Sequence, residues 1–61
     1  MTTGIYRPGQ TVPVSGIYNV VTSSGTYAGR QDTCEQGDTF PPTIRVGEYG
    51  YTLHEQTAHL K

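Results

Sequence analysis

The sequence predicts an all-β domain, and three observations lead to that prediction. No window of the chain repeats apolar residues at the helical period. Short runs rich in Tyr, Ile, Val and Thr alternate with turns built from eight glycines and four prolines. One phrase, Gly-polar-Thr-apolar-Pro, occurs twice, at residues 9–13 and 37–41. We expect a small single-domain β-meander of four or five short strands, SH3-like or an open barrel, with a pseudo-two-fold repeat as one option.

A central strand is predicted at residues 17–22, because β-branched and aromatic side chains stand on both of its faces. Residues 23–25, Ser-Ser-Gly, predict a hairpin turn with the glycine at positive φ. The chain is expected to return at residues 26–28, to be interrupted by a loop or bulge at 29–32, and to resume at 33–36. These segments predict the middle of a meander.

The ends of the domain are predicted from a turn and from the last strand. Residues 8–9, Pro-Gly, have the signature of a type II turn and leave only a short edge strand before them. Residues 48–53 predict the final strand, in which Gly50 would let another strand or ring approach closely. We therefore predict a small all-β domain over residues 1–54 and a flexible tail over residues 55–61, which are too few for a stable helix.

The repeated phrase leaves two interpretations open. In the first, each copy anchors one apolar side chain, Val12 or Phe40, in a shared core. That interpretation also places Gly9 and Gly37 in turns. In the second, Gly-polar-Thr turns recur by chance in a chain rich in Gly and Thr. The positions of these four residues distinguish the two interpretations.

Charge and size limit the classes of function. The chain has 61 residues, of which 33% are hydrophobic, so we expect a small core and marginal stability. Four Lys and Arg residues against five Asp and Glu residues give a net charge of −1, and the basic residues are scattered. Because phosphate backbones are bound by several basic side chains on one surface, we expect no nucleic-acid partner.

The apolar runs of the chain are short. None approaches the ~20 residues that a membrane-spanning helix needs, so we expect no membrane partner. The first residues lack the basic region and apolar stretch of a signal peptide. We therefore expect a cytoplasmic protein.

Cys34, His54 and His59 are the soft metal ligands of the chain. A single cysteine cannot form an internal disulfide, and zinc needs four ligands, or three with a water, so we expect no metal and no cofactor. Cys34 with His54 as a base lacks visible oxyanion donors, so we assign no catalytic residue and expect no enzyme. Cys34 is expected to be a small core residue. A metal or thiol site using Cys34 with His54 or His59 is kept as the second alternative function.

The five tyrosines are the candidate binding residues. Tyr18 and Tyr51 occupy strand positions that favour the core, whereas Tyr6, Tyr27 and Tyr49 are better placed at the surface. Exposed aromatic side chains and an open strand edge are typical of small β domains that bind peptides. We therefore predict a non-enzymatic protein-binding or adaptor module, with Tyr6, Tyr27 and Tyr49 as binding residues. A self-associating structural homodimer is the first alternative, since a marginal core favours association.

The turn residues also resemble those of a known family. Residues 8–9 are Pro-Gly, residues 12–18 follow Val-Pro-x-Ser-Gly-x-Tyr, and residues 37–42 follow Gly-Asp-x-Phe-Pro-Pro. This pattern resembles the YjzC-like group of short bacterial proteins of uncharacterised function, over residues 5–54. The resemblance implies a consistent fold and no activity.

Some proteins similar to this group continue Phe-Pro-Pro with Cys-x-x-Cys-Gly, which looks like a zinc knuckle. The present chain has Thr-Ile-Arg-Val-Gly at the matching residues 43–47, so both thiolates are absent. The resemblance therefore implies no metal here. Packing through Ile44 and Val46 is expected to replace such a staple.

Overall fold

The computed structural model describes residues 4–57, which form one antiparallel sheet of three strands. β1 spans Gly16–Val21, β2 spans Tyr27–Cys34 and β3 spans Gly50–Gln56. The order in the sheet is β2-β1-β3, so the strand predicted to be central is central. The all-β prediction is confirmed, since no helix occurs among the described residues.

Two isolated antiparallel bridges stand where further strands were predicted. One joins Tyr6 to Tyr51, and the other joins Thr11 to Thr39. Within residues 4–57 the sheet therefore has three strands, and the bridged segments are too short to count as a fourth or fifth.

The hairpin between β1 and β2 forms as predicted. Gly25 has a φ of 90° and donates its N–H to Thr22 O at 2.8 Å. Thr22 N–H donates to Thr26 O at 2.8 Å, which closes a three-residue loop with glycine in the left-handed region. The turn therefore fixes where β2 begins.

β2 is one continuous strand with a bulge. Val20 of β1 lies opposite three residues of β2, residues 28–30, because the flanking pairs are Asn19 with Gln31 and Val21 with Tyr27. A positive φ of 97° at Gly29, inside this bulge, accommodates the extra residues. The interruption predicted at residues 29–32 is thus a bulge at residues 28–30, within a single strand.

β3 begins later and ends later than predicted. It starts at Gly50 and runs to Gln56, past the predicted domain boundary at residue 54. Thr57 N–H donates to Ser15 O at 3.0 Å and keeps the end of β3 beside β1. Residues 58–61 of the predicted tail lie outside the described residues.

Gly50 lets another segment approach closely, as predicted. A Cβ at Gly50 would lie 2.5 Å from Tyr6 O and 2.5 Å from Ile5 Cγ2. Tyr6 and Tyr51 exchange two backbone hydrogen bonds of 2.8 Å. The N-terminal segment therefore covers the outer edge of β3 at its start.

The two copies of the repeated phrase pair with each other. Thr11 faces Thr39 at the centre of this pairing. Three kinds of backbone hydrogen bond then occur twice, once from each copy. Two kinds join the copies: Gly9 N–H donates to Phe40 O (2.9 Å) as Gly37 N–H does to Val12 O (3.0 Å), and Val12 N–H donates to Asp38 O (2.7 Å) as Phe40 N–H does to Gln10 O (2.9 Å). The third kind closes the turn before each copy: Gln10 N–H donates to Arg7 O (3.1 Å) as Asp38 N–H does to Glu35 O (3.0 Å). Residues 28 positions apart thus make equivalent bonds.

The first interpretation of the phrase is confirmed by the positions of its four diagnostic residues. Val12 and Phe40 are 1% and 2% exposed and belong to the same core. Gly9 and Gly37 have φ values of 90° and 94° in their turns. Glycine is needed at both positions because a Cβ disfavours this backbone conformation.

Aromatic rings build the core on one face of the sheet. Phe40 stacks between Tyr6 and Tyr51, with ring centroids 5.2 Å and 5.1 Å away and interplanar angles of 15° and 16°. Tyr18 meets Phe40 edge-on at 5.0 Å. These offset and edge-on geometries are the favourable ones for aromatic pairs. A chain with few aliphatic residues thus obtains a core from four rings.

The hydroxyl groups of the two fully buried tyrosines are both hydrogen-bonded. Tyr18 donates to Val14 O and Tyr51 donates to Pro41 O, each at 2.7 Å. Burial raises the pKa of both hydroxyls, so each remains a proton donor. The predicted core role of Tyr18 and Tyr51 is confirmed.

Candidate binding surfaces

Residues 43–48, which we call the Glu48 loop, are held against β2 by one carboxylate. Glu48 accepts two hydrogen bonds from the Arg30 guanidinium, from Nε at 3.1 Å and from a terminal nitrogen at 3.0 Å. Its Oε1 also accepts from the backbone N–H groups of Ile44, at 3.0 Å, and Arg45, at 3.3 Å. One side chain therefore fixes both the fold of the loop and its position on β2.

The Glu48 carboxylate is buried and charged. Its side chain is only 2% exposed, and the Arg30 guanidinium that pairs with it also contacts Asp32 at 3.0 Å. The hydrogen bonds from Arg30, together with those from the two backbone N–H groups, hold the pKa of Glu48 at about 2. The same pairing raises the pKa of Arg30. Glu48 and Arg30 therefore stay ionised at neutral pH, as a bidentate pair requires.

Replacing Glu48 with glutamine is expected to lower the urea midpoint at pH 7, because Gln cannot form the charged pair with Arg30. The carboxyl has a reference pKa of 4.5 and a folded pKa of about 2, so its charged form stabilises the folded state. That contribution is complete above the reference pKa and is lost as the pH falls from 4.5 towards 2.

Urea unfolding of both proteins at several pH values measures this contribution. The midpoints of wild type and Glu48→Gln should converge as the pH approaches 2. Glu55→Gln, at an exposed position of β3, is the control and should match wild type at pH 7. A gap between wild type and Glu48→Gln that is independent of pH would contradict the ion-pair assignment.

The Glu48 loop exposes two aliphatic side chains. Ile44 is 71% exposed and Val46 is 106% exposed. The expectation that these residues pack inward in place of a metal staple is therefore wrong. The physical reason is that the Glu48 carboxylate already holds the loop, so the aliphatic side chains are not needed for that purpose.

The three tyrosines predicted to bind a partner occupy different environments. Tyr27, the first residue of β2, is 53% exposed. Tyr6 is partly buried in the ring stack against Phe40. Tyr49 is partly buried beneath Arg7, whose Cζ lies 3.8 Å from the ring centroid. The structure thus does not bring them into one exposed aromatic cluster, and Tyr27 is the most accessible of the three.

Cys34 and His54 occupy different environments, the core and the surface. Cys34 ends β2 in the core, where burial, followed by the charges of Asp32 and Asp38, raises the pKa of its thiol. His54 is exposed on β3, and no hydrogen bond joins the two side chains. His59 lies outside the described residues. Within residues 4–57, no group of three or more His, Cys, Asp and Glu side chains is placed to hold a metal ion.

The surface formed by residues 4–57 has no ligand-sized pocket. Those residues also form no helix able to cross a membrane. Comparison of the chain with protein-family models, curated proteins and solved structures gives no match in any of the three. The resemblance to the YjzC-like group therefore stays a prediction.

Proposed function

We propose that this protein is a small non-enzymatic, cytoplasmic protein-binding or adaptor module, and that the Glu48 loop is its main contact surface. The observation that carries the proposal is the exposure of Ile44 and Val46 on a hydrogen-bonded loop. Aliphatic side chains in water contribute nothing to folding, and their burial against a partner is favourable.

The anchoring of the loop supports the same proposal. A loop held by Glu48 and Arg30 has little conformational freedom left to lose when a partner binds. Tyr27, next to the bulge that contains Arg30 on β2, adds an exposed aromatic ring, and tyrosine is enriched in binding hot spots. Tyr6 and Tyr49, which are partly buried, are assigned a supporting role beside the core.

The finer architecture is part of the proposal. We take the three strands and two bridges as a minimal SH3-like, open-barrel arrangement with pseudo-two-fold halves. The matched hydrogen bonds of the two phrases support this assignment. Each half also has a buried tyrosine whose hydroxyl donates to a backbone carbonyl at or next to the end of its phrase, Tyr18 to Val14 O and Tyr51 to Pro41 O.

The free energy of unfolding of the double variant Ile44→Ser, Val46→Ser is expected to lie within about 0.5 kcal/mol of the wild-type value, because both side chains are exposed. It should nevertheless lose the proteins that wild type retains in quantitative affinity capture from native lysate. Thermal unfolding by circular dichroism checks the first expectation, and mass spectrometry of the captured proteins checks the second.

Leu53→Ser is the matched control, because Leu53 is another exposed aliphatic residue but lies on β3. It should retain the captured proteins. Tyr27→Ala measures the contribution of the exposed ring. Equal capture by wild type and by the Ile44→Ser, Val46→Ser variant would exclude the Glu48 loop as the contact surface.

A further inference from the structure

β2 lies at one edge of the sheet, and the hydrogen bonds of β1 show which way its backbone groups point. Val21 O accepts from Tyr49 N–H at 2.8 Å, and Ser15 O accepts from Thr57 N–H at 3.0 Å. Both acceptors therefore face β3. The backbone N–H and C=O groups of successive residues in an antiparallel strand point to opposite edges of that strand. Tyr18 is three residues, an odd number, from both Ser15 and Val21, so its backbone groups point towards β2.

The alternation continues into β2. Asp32 is the partner of Tyr18 and therefore bonds inward, to β1. Its neighbours Gln31 and Thr33 consequently direct their N–H and C=O groups away from the sheet. Among residues 4–57, no backbone group outside the sheet pairs with these outward groups. The second half of β2 thus has a regular and unpaired edge.

The first half of β2 is protected from strand pairing. The bulge at residues 28–30, with Gly29 at positive φ, breaks the spacing that an added strand would need. An added strand therefore has one regular stretch to pair with, from Gln31 to Cys34.

This stretch and the residues that follow it are anionic. Residues 31–38 contain three acidic side chains and no basic one: Asp32, Glu35 and Asp38. The nearest cation, Arg30, is already occupied by Glu48 and by Asp32. Asp32 remains 28% exposed and Glu35 is exposed. Asp32 is thus compensated by Arg30, whereas Glu35 and Asp38 have no ion-pair partner among residues 4–57, so the end of the free edge presents net negative charge.

We propose that the edge of β2 from Gln31 to Cys34 binds an extended basic peptide of a partner protein as an added antiparallel strand. Backbone pairing with Gln31 and Thr33 supplies affinity, as in other cases of strand addition. Lys or Arg side chains beside Glu35 supply selectivity, since Glu35 lacks the ion pair that Asp32 makes with Arg30. The inference rests on the proposed protein-binding function and names the class of partner.

A second copy of the chain complements this edge less well than a basic peptide does. Self-pairing would place Asp32 and Glu35 of both copies along the same short edge. Like charges on facing strands are destabilising. It would also leave the bulge at Gly29 of each copy at the end of the paired stretch.

The test uses the full isotope-labelled chain and three ten-residue synthetic peptides, with binding followed by NMR. One peptide alternates Lys and Val, the second alternates Glu and Val, and the third alternates Lys and Pro. The Lys-Pro peptide has the charge of the first but lacks half of its backbone donors. We expect the Lys-Val peptide to shift the amide signals of residues 31–35 and to slow hydrogen exchange at Gln31 and Thr33. The other two peptides should bind about tenfold more weakly.

Two variants and one control locate the site. Glu35→Lys should weaken binding of the Lys-Val peptide about tenfold, whereas Glu55→Lys, the same change on β3, should leave it unchanged. Thr33→Pro should remove binding, because it deletes an outward N–H that no bond within the sheet uses. If Thr33→Pro does not fold, the comparison of Glu35→Lys with Glu55→Lys decides the question.

Three results would overturn the inference: equal binding of the Lys-Pro peptide, amide shifts centred outside residues 31–35, or protection of the edge that grows with protein concentration alone. The last result would identify a second copy as the occupant. If no peptide binds but Ile44→Ser, Val46→Ser still abolishes capture, the edge assignment fails and the proposed function stands. If that variant captures partners normally and the Lys-Val peptide shifts residues 31–35, the loop assignment fails and the edge assignment stands.

Discussion

Replacing Phe40 with alanine is expected to unfold the domain near room temperature. The Phe40 ring contacts three others, stacking between Tyr6 and Tyr51 and meeting Tyr18 edge-on. Truncating a buried Phe costs about 3–5 kcal/mol. A core of this size rarely supplies more than about 3–5 kcal/mol in total. Far-UV circular dichroism with thermal unfolding measures the loss.

Two controls separate the ring stack from burial in general. Phe40→Leu keeps most of the volume and should leave a folded but less stable domain. Val12→Ala truncates the matching side chain of the other phrase. It should lower the free energy of unfolding by about 2 kcal/mol, because two buried methyl groups are lost. If Phe40→Ala unfolds cooperatively with the same midpoint temperature as wild type, the ring stack is not the centre of the core.

Gly50→Ala is expected to destabilise the domain by about 3 kcal/mol, as overpacking against fixed backbone does. The new Cβ would lie 2.5 Å from the carbonyl oxygen of Tyr6, which must then move away. That movement weakens the two bonds between Tyr6 and Tyr51 and draws the Tyr6 ring from its stack on Phe40. Urea unfolding gives the change in free energy.

Gly4→Ala is the matched control for that substitution. A Cβ at Gly4 would have no atom within 4 Å, and Gly4 does not have a positive φ, so its replacement should be neutral. Gly16→Ala should behave like Gly50→Ala, since its Cβ would lie 2.5 Å from Glu55 O. Equal stabilities for Gly4→Ala and Gly50→Ala would refute the close approach of the N-terminal segment to β3.

Both proposed surfaces depend on β2. Arg30 of β2 anchors the Glu48 loop, and the next residue, Gln31, begins the free edge. The bulge at Gly29 separates this region from the exposed ring of Tyr27. A change in the path of β2 would therefore alter the loop and the edge together.

Much of the local structure could be predicted because its causes lie within a few residues. The central strand, the turn at Gly25 and the turns at Gly9 and Gly37 follow from side-chain alternation and from the need for positive φ. The shared core of Val12 and Phe40 was an open alternative, and the pairing of the two phrases with each other was not predicted, because a repeat shows that two segments are alike but not that they meet.

The candidate surfaces could be predicted only in part. Among the three tyrosines chosen, Tyr27 is well exposed, but Tyr6 and Tyr49 are partly covered by Phe40 and Arg7. The covering groups lie far along the chain from the rings that they cover, so strand alternation alone does not reveal them. The exposure of Ile44 and Val46 was likewise missed.

The sequence by itself determined the all-β class, the central strand, the glycine turns and the burial of Tyr18 and Tyr51. These depend on backbone conformation and on alternation along one strand, which act over a few residues. Only the tertiary structure decided that Glu48 pairs with Arg30, 18 positions away, and that Ile44 and Val46 are exposed on the loop that this pair anchors. No local rule encodes that contact, because it forms only when the bulged strand β2 and the segment before β3 are folded against each other.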